Sequence, residues 1–147
     1  MSEVVQNYSD EHVDRLVERA IEAELLGVGF ALSLGLARIR RAYNGIGPES
    51  LPAVRSWATD ALALFEPAAM VHDCRFEVSD GTRLSFNFAN AEFRLNCLAL
   101  ADREYPWWNW RRYRARAAAN ALYDFCTSDA GWRAWRAAHE KTKGTEQ

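Results

Sequence analysis

Residues 67–93, PAAMVHDCRFEVSDGTRLSFNFANAEF, decide the fold, because they place two apolar runs on either side of one turn signal. Before the turn, Met70, Val71, Cys74 and Phe76 recur at helical spacing, and Pro67 is expected to restart a helix at a kink. Ser79-Asp80-Gly81-Thr82 reads as a turn, and Phe76-Glu77-Val78 and Leu84-Ser85-Phe86 around it predict a short β-hairpin, the only sheet expected. Helical spacing returns from Phe88 to Arg103 through Phe93, Cys97 and Leu100, and Pro106 closes that helix. The two helices can then lie antiparallel, with His72 facing Asn90.

Working outward toward the N-terminus, Val13, Leu16, Val17, Ala20, Ile21, Leu25, Val28 and Leu32 recur at threes and fours, so one long helix is expected from Glu11 to Arg41. It stops at Asn44-Gly45-Ile46-Gly47-Pro48, the strongest punctuation in the chain. Ser50 can cap a following helix that carries Pro52 early and Val54, Trp57, Ala58, Ala61, Leu62 and Phe65 along its inner face. Toward the C-terminus, Trp107 to Phe125 and Trp132 to His139 read as one or two further helices. The sequence therefore predicts a single mainly α domain over 1–147, with a core at 43–97, a long N-terminal helix within 1–42 and aromatic, basic helices at 105–142.

Among three histidines, His12 and His139 sit in charged terminal helices where solvent exposure is expected, whereas His72 lies in an apolar stretch beside Asp73. Neighbours on a helix are about 100° apart, so the imidazole and the carboxylate can serve separate tasks. A buried imidazole or carboxylate needs a partner, and a core pair bonded to nearby backbone also accounts for these residues.

Three motifs in order shift that balance: Tyr43-Asn44-Gly45-Ile46-Gly47-Pro48, His72-Asp73-Cys74-Arg75-Phe76 and Ala89-Asn90-Ala91-Glu92-Phe93. Together they resemble the phospholipase A2 superfamily, in particular its compact branch in parvovirus capsid and bacteriophage or prophage proteins. The resemblance spans roughly Tyr43 to Cys97. It implies a core of two antiparallel helices, a glycine loop and calcium-dependent hydrolysis of a phospholipid ester. His72 would take a proton from the attacking water. Asp73 and the carbonyls of Gly45 and Gly47 would bind Ca2+, a hard ion that favours several oxygen ligands. Asn90 stands where the family has the carboxylate that orients the histidine, and Phe76 replaces a tyrosine. The cysteines do not match the bridge of the secreted enzymes, in keeping with the disulfide-free branch.

Tyr105-Pro106-Trp107-Trp108-Asn109-Trp110-Arg111-Arg112-Tyr113-Arg114-Ala115-Arg116 gathers three tryptophans and four arginines within twelve residues. Packing of Trp107 and Trp110 into the core is the first expectation for this stretch. A phospholipid membrane surface, another polyanion, and a protein partner or homo-oligomer are the others. Trp132 and Trp135, three apart, are expected in the core.

Composition bounds these readings. An apolar content of 49% is ample for one core and excludes a disordered chain. With 18 basic against 20 acidic residues the formal charge is -2, which gives no global footprint for nucleic acid. The three cysteines are too few for a disulfide scaffold, so free thiols are expected. The acidic start, Glu3, Asp10, Glu11 and Asp14, has the wrong sign for a secretory leader, and the thirteen uncharged residues between Glu24 and Arg38 fall short of a membrane span. A cytoplasmic or virion-associated location is expected.

The leading functional expectation is a phospholipase A2-like hydrolase. The alternative keeps the fold without strong catalysis, as a phage-associated structural or inhibitory protein that binds a macromolecule. A metal phosphohydrolase would need further His and Asp ligands, and a Cys-His nucleophile would need Cys74 or Cys97 to reach the imidazole.

Overall fold

The computed structural model describes residues 8–43 and 56–145. The expected glycine loop with Gly45 and Gly47, the cap at Ser50 and the early Pro52 lie outside the described residues. Seven helices make up the described chain: α1 (Asp10–Glu22), α2 (Val28–Ser33), α3 (Leu36–Ala42), α4 (Ser56–Val78), α5 (Arg83–Glu104), α6 (Trp110–Cys126) and α7 (Asp129–Thr145). No strand occurs among the described residues.

The expected N-terminal helix is three helices. Glu24 adopts φ 51° just past α1, and Gly27 at φ 79° and Gly35 at φ 87° are the N-caps of α2 and α3, so positive-φ residues separate the three helices. Ser9 caps α1 by accepting from the His12 N–H, and Val13, Leu16, Val17 and Ala20 form its buried face. Gly27 also allows a close approach, because a Cβ there would lie 2.5 Å from Glu92 Oε1. Beside it, Leu26 N–H donates to Asn96 Oδ1 at 2.8 Å and Asn96 Nδ2 donates to the Leu26 carbonyl at 2.9 Å. One buried amide on α5 thereby substitutes for a backbone partner at the α1–α2 connection.

The expected β-hairpin is a helix–turn–helix. Both three-residue runs extend long helices, since a hairpin of that length has too little to bury. The turn signal itself holds. Gly81 takes φ 77°, the Thr82 N–H donates to Asp80 Oδ1, and Thr82 Oγ1 caps α5 by accepting from the Ser85 N–H. Hydroxyl and amide donors from Ser85 and Thr82 lower the Asp80 carboxyl to about 2. Pro67 does not restart a helix. α4 runs through it, and Pro67 is fully buried in a stretch where Phe65, Ala68 and Met70 are buried too. The missing N–H leaves the Ala63 carbonyl without its ordinary partner, a cost that burial on both sides offsets.

The four-residue link between α4 and α5 makes them antiparallel neighbours, and α5 also packs along α6. Ala115, Ala118, Ala119 and Leu122 form the buried face of α6, and its three alanines let α5 and α6 approach closely. A main core joins α1 to α6. A second cluster of Phe86, Ala89 and Trp135, with Phe76 and Trp132, seats α7 on the turn.

Candidate functional site

His72 and Asn90 meet as the antiparallel reading requires. His72 Nε2 lies 2.9 Å from Asn90 Oδ1 across α4 and α5. Because an amide oxygen only accepts, Nε2 carries the proton and Nδ1 keeps its lone pair. Asn90 is almost wholly buried, and its Nδ2 meets no acceptor among the described residues. The His72 ring packs on Phe93 at 5.0 Å between centroids. Burial lowers its pKa below the ordinary value, with the Asn90 hydrogen bond opposing that shift. The ring is therefore a neutral base at pH 7, and no charge at position 90 supports an imidazolium.

Asp73 lines a cleft of about 270 Å³ with Arg41, Ala42, Phe76 and Glu77. Phe76 serves two elements, since its other side makes an edge contact with Trp135 at 4.4 Å. That contact explains an aromatic ring here without a hydroxyl. Among the described residues no group of three His, Cys, Asp or Glu side chains is arranged to hold a metal. Of the expected calcium ligands only Asp73 is among the described residues, since Gly45 and Gly47 lie outside them. The charged lining of the cleft is Asp73 and Glu77 against Arg41, one net negative charge.

Tyr43 caps α3 and is buried rather than lining the cleft. Burial first, then the Glu66 carboxylate, pushes its phenol far above the ordinary value, with Asp73 contributing. It belongs to a cluster the sequence reading missed: Tyr8 stacks on His12, Tyr43 packs on Tyr8 at 4.8 Å, and His12 Nε2 pairs with Glu66 Oε2 at 3.0 Å. His12 is thus not a solvated surface histidine. Its position beside Val13 on the edge of the buried stripe is the only sequence signal that could have flagged it. His139 is likewise anchored, with Nδ1 2.7 Å from the Trp135 carbonyl.

Trp107 and Trp110 are not in the core. They are 73% and 59% exposed, and Trp108 is 70% exposed. Trp135 is buried as expected, and Trp132 is partly buried. Arg111 stands over Trp110 at this corner.

The cysteines are free. Burial raises the Cys74 thiol to about 12 and the Cys126 thiol to about 11, and it raises Cys97 well above the ordinary value. Such thiols stay protonated and are poor nucleophiles. No helix among the described residues is long and apolar enough to cross a membrane. In comparison with known proteins, the chain matches no family model, no curated protein and no solved structure.

Proposed function

We propose that this chain is a phospholipase A2-like hydrolase in which His72 activates water against a phospholipid ester. The observation that carries the reading is the His72–Asn90 contact at 2.9 Å, made by two of the three motifs that suggested it. In this reading Nδ1 accepts a proton as water adds to the ester carbonyl, and the imidazolium returns that proton to the departing alkoxide, leaving acid and alcohol. Asn90 holds the ring in the tautomer that keeps Nδ1 free. Ca2+ is the expected cofactor, with Asp73 as carboxylate ligand and Gly45 and Gly47 as carbonyl ligands. Its contribution when bound is to polarise the ester carbonyl.

Fatty-acid release from phospholipid vesicles in the presence of calcium tests the reading. His72→Gln is expected to abolish that release while the helical circular dichroism is retained, and full activity in the variant would remove His72 from the mechanism. Asn90→Asp supplies the missing negative charge and is expected to raise both the His72 pKa and the rate. Because burial lowers the His72 pKa, the acid limb of the wild-type pH–rate profile should lie below about 6.5, the ordinary histidine value. The Asp variant should move that limb upward.

One observation favours the non-catalytic reading, a binding protein on the same fold: the neutral Asn90 leaves a protonated His72 without a counter-charge. Absence of lipid hydrolysis in both wild type and Asn90→Asp would select it.

A further inference from the structure

We propose that the α5–α6 corner is a docking surface for an anionic lipid bilayer. Trp107, Trp108, Trp110 and Tyr113 are each more than half exposed there, although large apolar rings in one contiguous patch are rare on a solvated surface. The patch is held by hydrogen bonds and is not a loose loop. Tyr113 Oη donates to the Trp107 carbonyl at 2.9 Å, and Asn109 Oδ1 caps α6 by accepting from the Arg111 N–H. Indoles fixed at a surface suit the headgroup level of a bilayer, where the ring is half in hydrocarbon and its N–H in water.

Charge selects the sign of the lipid. From Asp102 to Arg116 the arginines at 103, 111, 112, 114 and 116 outnumber Asp102 and Glu104 by three, in a chain whose formal charge is -2. Arg112 and Arg116 share the single carboxylate of Asp102 at 2.9 and 2.6 Å, which leaves that triad one net positive charge. Arg111 makes no ion pair among the described residues, and Arg111 and Arg114 both lie over the Trp110 ring. A groove of about 230 Å³ is lined by Leu64, Tyr105 and Ala115 together with Trp110, Arg111 and Arg114. Cationic groups sharing one groove with apolar side chains match a phosphate headgroup above its glycerol and acyl chains.

Other occupants fit less well. A symmetric contact centred on this corner would bring the like-charged Arg111 and Arg114 of two copies close together. A nucleic acid rewards a long cationic track, whereas this charge is confined to one corner of an acidic chain. The corner lies about 20 Å along α5 from Asn90, at 1.5 Å per residue, so it acts as a tether remote from the candidate base. The inference does not rest on the hydrolase reading.

Ether-linked vesicles, which have no ester to cleave, keep the two separable. In EDTA, wild-type protein is expected to sediment with phosphatidylcholine vesicles containing phosphatidylglycerol and not with phosphatidylcholine alone. A blue shift in tryptophan emission and weakening by salt should accompany binding. Trp107→Ala/Trp108→Ala and, separately, Arg111→Glu should each weaken binding at least tenfold, with circular dichroism verifying the fold. The proposal is overturned by no binding to the anionic vesicles or by undiminished binding of both variants. It is equally overturned by tighter binding to a single-stranded oligonucleotide at the same salt, or by a dimer that these variants dissociate.

Discussion

Along its middle, α5 buries Asn90, Glu92 and Asn96, whereas just past its C-terminal end Trp107, Trp108 and Trp110 stand in solvent. Polar groups inside and large rings outside both run against the ordinary partition of side chains, and each therefore needs a local reason. Inside, the reason is pairing: Asn90 holds His72, Glu92 forms a two-point contact with Arg75 at 3.1 and 3.0 Å, and Asn96 holds the Leu26 backbone. Outside, Trp107, Trp108 and Trp110 stay more than half exposed even with Arg111 and Arg114 over the Trp110 ring, and the reason proposed for them is another surface. Buried polarity here organises the fold and its candidate base, while exposed aromaticity organises contact.

That contrast can be broken most forcefully at tryptophan itself. Trp135→Ala removes a fully buried ring and is expected to cost about 3 kcal/mol in urea denaturation. The figure sits at the low end for such a change because Trp135 Nε1 is already buried without an acceptor. Asn96→Ala should follow at about 2 kcal/mol, since it strips both partners from the Leu26 peptide groups. Thr82→Ala should cost about 1 kcal/mol through loss of the α5 cap, read as a lower urea midpoint at an unchanged slope. Trp108→Ala is expected to change stability by no more than about 0.5 kcal/mol. A loss as large as that of Trp135→Ala would show that the corner is structural and erase the distinction.

Helix content and the His72–Asn90 meeting were legible because both follow from periodicity and from a short link that forces antiparallel packing. The turn at Ser79–Thr82 was legible too, but what it joins was not: three apolar residues on each side satisfy a strand pattern and a helix end alike, and only the caps at Asp80 and Thr82 decide. The break in the N-terminal helix depended on left-handed φ at Glu24, Gly27 and Gly35, and the apolar spacing runs on past those positions without registering them. The exposure of Trp107 and Trp110 was hidden by the alanine run behind them. It reads as a core face of which the rings are part, whereas Ala115, Ala118, Ala119 and Leu122 form the buried face of α6 without them. The His12–Glu66 pair joins residues 54 positions apart, a separation at which no local pattern reports.

The Asn96 bridge to Leu26 has a further consequence. Both peptide groups of Leu26 that it satisfies belong to an otherwise exposed residue in a connection, a setting where amide protons normally trade with solvent quickly. Tied to a side chain on α5, the Leu26 proton can exchange with deuterium only when the segment lifts from that helix. Its exchange rate becomes a single-atom gauge of how often the first third of the described chain parts from the rest.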